Sequence, residues 1–550
     1  MRLLDAASLQ FKEFFEDQIP PYAILSHTWG SSDEEVSFQD MRLEPRILWE
    51  DRRYGYSKIV NTCRLALEDR LKYVWVDTCC IDKSSSAELT EAINSMFRWY
   101  EKAEICYVHL ADVTPQMSLE DGLKNCRWIT RGWTLQELIA PRECDFFDSK
   151  WTYRGRKTKM TDMLAALTRV PALVLEHEKL PREYTVAQRM SWAAKRKTTR
   201  SEDLAYCLLG VFGIHMPMIY GEGEMAFHRL QEEIIRRTSD ATIFAWDPKD
   251  GAADIVGILA PSPASFENTQ SLLNTTGFQP TEFALTNKGV KIVHAHVLVC
   301  SPPKKKQGLV YFLQLGKDPT GRSCTGIYLR KVDGDLFCRL NRPRETFWQT
   351  KGLRRARVFE LYLADFCPSP ISQSMILDSR RPAVQIPVPS GFEHAQAVPQ
   401  RLWDYEDSCF LTGPWGADMV QWVQIAGTLL GHKVELAMLC DRRADNGYGK
   451  PVLSIFEKHR FIEHWDYLSQ YRRTHVGDPL SWWKLKQDFP ALLDHTDSTA
   501  FSLQGAAVKV SVSVAKGTVR TREGGVEMYQ AKMKIDIEKK GQGKDTKQSR

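Results

Sequence analysis

The sequence predicts an α/β N-terminal domain built on a small parallel sheet, then a helical extension, then a mostly antiparallel, sandwich-like β region. Short apolar runs near residues 22, 73, 105 and 144 alternate with helical patterns, which is the order expected of a parallel α/β sheet. After Trp246 the pattern changes. Val508, Val510, Val512 and Val514 alternate with Lys and Ser, which is typical of half-buried strands in antiparallel sheets.

A βαβ unit is predicted at the centre of the first domain. Tyr73–Val76 is an apolar run suited to a buried strand, and Ile105–Leu110 is a second run of strand length. The intervening apolar residues have helical spacing, and Ser85, followed three residues later by a glutamate, fits a capping box. Such a crossover places its two strands parallel in one sheet, and ligands bind at the carboxyl ends of parallel strands. We therefore expect chemistry in the polar loop at residues 77–86.

The remaining elements follow from the same signals. Tyr22–Ser26 predicts the first strand, Trp133–Ala140 a short helix before Pro141, and Cys144–Phe147 a fourth strand. Further helices are predicted at Asp162–Thr168, Val186–Lys195, Glu202–Phe212 and Glu224–Arg237. The predicted divisions are an α/β core at 1–160, a helical extension at 161–247, a β-rich region of one or two domains at 248–538, and a disordered tail at 539–550.

Composition narrows the classes of function. The net charge of +5 over 550 residues gives no reason to expect a nucleic-acid partner. The 13 cysteines include no C-x-x-C pair, and the N-terminus lacks the apolar core of a signal peptide, so we expect a cytoplasmic protein without structural zinc or disulfides. No apolar stretch is long enough to predict a membrane span. The sequence contains neither a P-loop nor a dinucleotide-binding glycine motif, so we predict no bound cofactor.

Several ordered motifs resemble the fungal heterokaryon incompatibility (HET) domain. They are YAILSHTWG at Tyr22–Gly30, VWVDTCCIDK at Val74–Lys83, AINSMFRWYEKAEICY at Ala92–Tyr107, RGWTLQELIAP at Arg131–Pro141, and the segment Arg196–Phe244. The resemblance covers about residues 1–247. It implies a role in fungal self/non-self recognition, innate immunity and programmed cell death, with the α/β domain as effector and the β half sensing, restraining or assembling it. It also implies self-association through this domain and an incompatibility partner protein as candidate partners.

The order of strands and helices is in turn similar to that of TIR domains, which implies a flavodoxin-like fold. TIR enzymes cleave the nicotinamide–ribose bond of NAD with a glutamate in a W-C-x-x-E-L-type motif. The corresponding residues here run from Trp133 to Leu138, so the resemblance makes Glu137 the catalytic candidate. Thr134 stands where that motif has cysteine. NAD would then be a substrate and not a cofactor.

The chemistry gives a separate reason to look for a carboxylate. Cleavage of an N-glycosidic bond builds positive charge on the ribose, which a carboxylate stabilises, and the leaving nicotinamide is neutral. The substrate-binding candidates are Ser26, His27 and Asp77, at the ends of predicted strands, and the indoles of Trp29 and Trp133, which can stack on planar bases.

Each candidate also has a structural interpretation. Glu137 could be a surface acid or pair with Arg131 or Arg142; His27 and Asp77 could cap their loops, and the two tryptophans could be core residues. A Cys79–Cys80 nucleophile paired with His27 or His109, and zinc on His294 and His296, are weaker alternatives. Two functional hypotheses therefore stay open: an NAD-cleaving effector, and a non-enzymatic scaffold that signals by self-association.

Overall fold

The computed structural model describes residues 1–15, 18–31, 33–42, 53–248, 254–274, 282–300, 309–317, 320, 323–348, 353–365, 370–411, 420–443, 449–457, 487 and 496–539. All of the predicted disordered tail beyond Lys539 lies outside these residues. No helix in the described ranges has the length and apolar character needed to cross a membrane.

The N-terminal part of the chain forms an α/β domain, as predicted. Its strands are β1 (Arg2–Asp5), β2 (Phe11–Glu13), β3 (Tyr22–His27), β4 (Tyr73–Trp75), β5 (Ile105–His109), β6 (Cys144–Phe147) and β7 (Tyr153–Arg156). Its helices are α1 (Phe38–Arg42), α2 (Arg53–Glu68), α3 (Asp77–Cys80), α4 (Ser86–Lys102), α5 (Leu119–Asn125), α6 (Arg127–Thr130) and α7 (Thr134–Ile139).

Within the described residues, these strands make one mixed sheet in the order β2-β1-β4-β3-β5-β6-β7. The four central strands β4, β3, β5 and β6 are parallel, as the sequence predicted, and β1, β2 and β7 extend them antiparallel at the two edges. Because β3 lies between β4 and β5, the carboxyl ends of all three meet at one edge of the sheet. Every residue of these three strands is buried.

Local signals explain where the helices of this domain begin. The Ser85 hydroxyl accepts the backbone N–H of Glu88 at the start of α4, as expected of an N-cap. The Glu88 carboxylate does not complete the capping box, since it accepts instead from the Asp82 N–H and from Arg2. The loop predicted at 77–86 differs from expectation, because its first four residues form the one-turn helix α3.

The helical extension follows the predicted pattern with one difference. Its helices are α8 (Thr161–Thr168), α9 (Ala172–Leu175), α10 (Val186–Ala193), α11 (Asp203–Tyr206), α12 (Leu209–Phe212) and α13 (Met225–Arg237). The single helix predicted at Glu202–Phe212 is thus two short helices. Gly210 lies close to the Phe97 side chain, so the break brings this segment against α4.

The C-terminal region is rich in strands that pair mainly antiparallel, as predicted. Its strands are β8 (Ile255–Val256), β9 (Leu273–Asn274), β10 (Glu282–Thr286), β11 (Gly289–Cys300), β12 (Val310–Lys317), β13 (Ser323–Asp333), β14 (Leu336–Leu340), β15 (Glu345–Trp348), β16 (Leu353–Leu363), β17 (Val384–Gln385), β18 (Phe392–Val398), β19 (Trp403–Asp404), β20 (Cys409–Phe410), β21 (Gln421–Leu429), β22 (His432–Asp441), β23 (Val452–Glu457), β24 (Ser498–Leu503), β25 (Ala506–Arg520) and β26 (Gly525–Lys539); one helix, α14, spans Pro370–Arg380. In the described strands the two exceptions to antiparallel pairing are β14 with β16 and β17 with β26. The sandwich arrangement and the number of domains here stay predictions.

Arginines tie the β region to the helical extension. The buried guanidinium of Arg339 on β14 donates to the carbonyls of Phe244 and Trp246 and stacks on the Trp246 ring at 3.8 Å. Arg344 pairs with Asp247. One continuous apolar core also runs from the first sheet through these helices into the β sheets.

We expect Gly55→Ala to destabilise the protein by about 1–3 kcal/mol, the usual effect of overfilling a packed site. A Cβ at Gly55, in the first turn of α2, would lie 2.5 Å from the backbone oxygen of Glu34 and 2.8 Å from the Cα of Glu35. The 34–36 segment would have to move. Urea denaturation measures the loss. The matched control is Gly517→Ala on β25, where no atom lies within 4 Å of the added carbon; an equal loss in both variants would contradict the packing argument.

Candidate functional site

A cavity of about 220 Å³ opens at the carboxyl edge of the parallel strands, where ligands bind in sheets of this kind. It is lined by three classes of side chain. The charged and imidazole groups are His27, Asp77, Lys83, Arg131, Glu137, Arg200 and Asp203, the aromatic ones are Trp29, Trp133 and Tyr220, and the apolar ones are Ile81, Leu89, Ile93 and Met96. Each apolar lining residue comes from α4 or from the loop that precedes it.

Glu137 lies on α7 and is only 6 % exposed. Its carboxyl accepts a hydrogen bond from the Ser26 hydroxyl at 2.5 Å, and that hydroxyl in turn accepts from the Trp128 indole N–H at 2.7 Å. Since Ser26 and Trp128 are fully buried, the chain fixes the carboxyl against the end of β3. The surface-acid alternative for Glu137 is therefore wrong, and in the described residues it forms no ion pair with Arg131 or Arg142.

Burial raises the pKa of Glu137 to about 8, and the negative charge of Asp77 acts in the same direction. The Ser26 hydrogen bond and the charge of Arg131 oppose this shift. At neutral pH the carboxyl of the empty cavity is therefore mostly protonated. A shift of this kind in a cleft is typical of functional acids.

Asp77 begins the helix that follows β4 and is held by two donors. The His27 Nε2–H donates to Oδ1 and the Trp29 indole N–H to Oδ2, each at 2.8 Å. Burial alone would raise the pKa of Asp77, but the neighbouring His27, Lys83 and Arg131 outweigh burial and hold that pKa well below its usual range. Asp77 is therefore a fixed anion in the cavity wall.

A buried lysine sets the tautomer of His27. The Lys58 ammonium donates to His27 Nδ1 at 2.8 Å and also to the Glu35 carboxylate. Because an ammonium has no acceptor, Nδ1 must be unprotonated and Nε2 must carry the hydrogen that Asp77 accepts. Burial and the charge of Lys58 lower the pKa of His27, so the imidazole is neutral at pH 7.

Trp29 is half-buried, and two cationic side chains lie over its ring. Lys83 Nζ lies 3.7 Å from the ring centroid, and Arg131 Cζ lies 5.3 Å from it. The ring face under Lys83 is not open to a base. Trp29 therefore positions Asp77 and Lys83, while Trp133 is the indole better placed to stack on a ligand.

The outer wall comes from the helical extension. Asp203 on α11 accepts a hydrogen bond from the Tyr220 hydroxyl at 3.1 Å. Burial raises the pKa of Asp203, and the neighbouring Trp133 indole opposes that shift. The Arg200 guanidinium stacks over the Tyr220 ring at 4.6 Å. The cavity is thus closed by residues far along the chain from the parallel sheet.

Five of the six predicted site residues line the cavity, and the sixth, Ser26, holds Glu137 from behind. Their roles stay predictions. Sequence reasoning missed Lys58, Asp203 and Tyr220, whose surroundings in the sequence read only as helix or loop. Arg200 ends the basic run Lys195–Arg200, which predicts a solvated connector and, as the less favoured alternatives, a nuclear-import or anion-binding patch. It also missed Arg131 as part of the site, having considered it only as an ion-pair partner.

Other candidates take no part in the cavity. Cys79 and Cys80 are both buried in α3, and His27 is engaged by Asp77 and Lys58, so no cysteine–histidine nucleophile forms there. Thr134, which replaces the motif's cysteine, donates to the Trp128 carbonyl and supports the turn before α7. No cluster of three or more metal-ligating side chains occurs in the described part of the chain.

These features define an α/β domain with a polar, partly aromatic ligand cavity at the carboxyl edge of its parallel strands. Residues 22–121 match the family described as heterokaryon incompatibility protein (HET), and residues 225–300 match a domain of unknown function (DUF8212). The chain therefore carries a HET domain. The family match ends before Glu137, so it does not reach the whole cavity.

A comparison with known proteins agrees with the HET family match. The chain is 46% identical over 246 residues to vegetative incompatibility protein HET-E-1 of Podospora anserina. The aligned part is 42% of this chain and 18% of that relative, so the chain spans less than a fifth of the relative's length. No solved structure gives a significant match.

We expect Glu137 to titrate near pH 8 in the empty protein and Ser26→Ala to move its midpoint higher. The reason is that the hydroxyl donates to the carboxyl and so favours its ionised form. Carbon-13 NMR of labelled glutamate side chains across pH 5–10 measures both midpoints, and Glu137→Gln assigns the signal. A midpoint near the usual 4.5 of a glutamate would show that burial does not raise the pKa of Glu137.

Proposed function

We propose that the HET domain hydrolyses the nicotinamide–ribose bond of NAD with Glu137 as catalytic residue, and that the protein acts in heterokaryon incompatibility and the cell death that follows. The observation that supports this most is the meeting of a buried carboxyl, a fixed anion and an aromatic wall in one cavity. The similarity to TIR domains supplies the reaction class, and the similarity to a vegetative incompatibility protein supplies the biological setting.

The reaction requires little acid–base chemistry. The C–N glycosidic bond breaks, its electron pair stays on the nicotinamide nitrogen, and the positive charge of the pyridinium passes to the ribose ring. Water then adds to the ribose carbon and releases one proton, giving nicotinamide and ADP-ribose. A carboxylate beside the ribose stabilises the charge that develops and hydrogen-bonds its hydroxyls.

The protonation state of Glu137 fits a cationic substrate. The nicotinamide ring of NAD is positively charged, and an opposite charge nearby favours the ionised carboxyl. Binding would therefore release the proton that Glu137 holds in the empty cavity. Ser26 and Trp128 keep the carboxyl in place as its charge changes, and Asp77 adds a second negative charge that does not titrate at neutral pH.

The apolar side of the cavity suits the planar base. Leu89, Ile93 and Met96 present one face of α4 to the cavity, opposite the polar groups. The Trp133 indole lines the same cavity. A nicotinamide ring between this indole and the apolar face would place its ribose toward Glu137.

We expect purified protein to release nicotinamide from NAD and Glu137→Gln to lower kcat by about a hundredfold or more, as is usual when a transition-state electrostatic contact is lost. Because the reactive form is the ionised carboxylate, kcat/KM should rise about tenfold per pH unit up to pH 8 and level off above it. Chromatography of nicotinamide and ADP-ribose measures both effects.

The control variant is Glu91→Gln, on the exposed side of α4. Assays are run with free protein and with protein fused to a domain that enforces oligomers, since self-association could be needed for activity. No turnover in either form would refute the enzymatic proposal and favour the scaffold hypothesis. Turnover that Glu137→Gln leaves unchanged would refute the assignment of the residue.

A further inference from the structure

We propose that Lys83 and Arg200 at the mouth of the cavity form a phosphate subsite, so that the domain selects 5′-phosphorylated nicotinamide nucleotides over the riboside. This inference rests on the proposed function for the orientation of the ligand. It gives Lys83 and Arg200 a role in binding the phosphate of the substrate. Neither the family match nor the TIR-like motif identifies these two residues as part of a site.

The charged side chains that line the cavity leave it with an excess of positive charge. Lys83, Arg131 and Arg200 supply three cations, and in the described chain none of the three is ion-paired with a carboxylate. The carboxyls are otherwise engaged: Asp77 accepts from His27 and Trp29, and Asp203 accepts from Tyr220. Glu137 is mostly protonated at neutral pH. The empty cavity is therefore positive.

The two outer cations are held by aromatic rings. Lys83 lies over Trp29 and Arg200 over Tyr220, and both side chains are exposed. A ring face orients a cation without neutralising it, so each keeps donors available to an incoming anion. Arginine donors match the geometry of phosphate oxygens, and lysine acts as a point charge beside them.

Depth in the cavity fixes which part of the ligand meets these cations. Glu137 is buried at the floor, while Lys83 and Arg200 lie at the surface. The volume of about 220 Å³ is below the roughly 300 Å³ at which pockets begin to enclose drug-sized ligands, so it suits a nucleoside. With the glycosidic carbon at Glu137, the 5′ carbon points outward and its phosphate reaches the cations.

Two measurements test the subsite. The first compares kcat/KM for nicotinamide release from nicotinamide mononucleotide and from nicotinamide riboside, which differ only in the 5′-phosphate. We expect the wild-type protein to prefer the mononucleotide at least tenfold. The double variant Lys83→Gln/Arg200→Gln should lose that preference, so that its kcat/KM values for the mononucleotide and the riboside agree within about twofold. Lys124→Gln/Arg64→Gln, a pair of surface changes elsewhere on the domain, is the matched control.

The second measurement does not need catalysis. Calorimetry with inorganic pyrophosphate should show binding to wild type and to Glu137→Gln, and at least tenfold weaker binding to the double variant. Equal affinity of wild type and double variant, or an unchanged preference for the mononucleotide, would overturn the subsite while leaving the hydrolase proposal intact. Pyrophosphate binding lost in the double variant, without turnover of any substrate, would support the subsite and refute the hydrolase.

Discussion

The hydrogen-bonded chain from Trp128 through Ser26 to Glu137 is the constraint on which the rest of the site depends. It joins the end of β3 to two helices and keeps a carboxyl away from water. The pKa of that carboxyl is higher in the folded protein than its usual 4.5, so the folded state holds the proton between about pH 4.5 and 8. Folding stability contributed by this group is therefore fully present below that interval and is lost as pH rises through it, at about 1.4 kcal/mol per pH unit. A group that lowers stability at working pH is expected where function requires it.

Much of the fold could be predicted because its signals are local. Apolar runs of strand length located β3, β4, β5 and β6, and helical spacing located α4, α8 and α13 within a few residues. The rule that ligands meet the carboxyl ends of parallel strands then brought Ser26, His27 and Asp77 together without any structure. Predictions failed where the deciding contact was distant. The helix predicted at 202–212 is two short helices, the second of which lies against Phe97. The residues before β3, taken only as part of the core, form β1 and β2 at one side of the sheet.

The hairpin between β13 and β14 is a second case in which a local sequence signal predicts the element but not its exact position. An aspartate–glycine pair at 333–334 predicts a two-residue turn, and the strands on either side do pair antiparallel. Asp333 nevertheless belongs to the strand, and the turn residues are Gly334 and Asp335, of which only the glycine has a positive φ. The turn is therefore one residue later than the dipeptide suggests, and the pairing of β13 with β14 is irregular between Lys331 and Asp333, next to the turn.

The cavity itself shows why a sequence motif defines less than a site. The HET family match stops at residue 121, and the W-x-x-x-E-L motif adds Trp133 and Glu137. Neither includes Asp203 or Tyr220, although both line the cavity and the Tyr220 ring supports Arg200. A ligand in this cavity would touch the sheet edge on one side and the helical extension on the other. Arg339 binds the carbonyls of Phe244 and Trp246, so the β region is joined to the same helical extension that supplies the outer wall of the site. The residues that line the cavity therefore extend along the chain from β3 to Tyr220, well past the end of the family match.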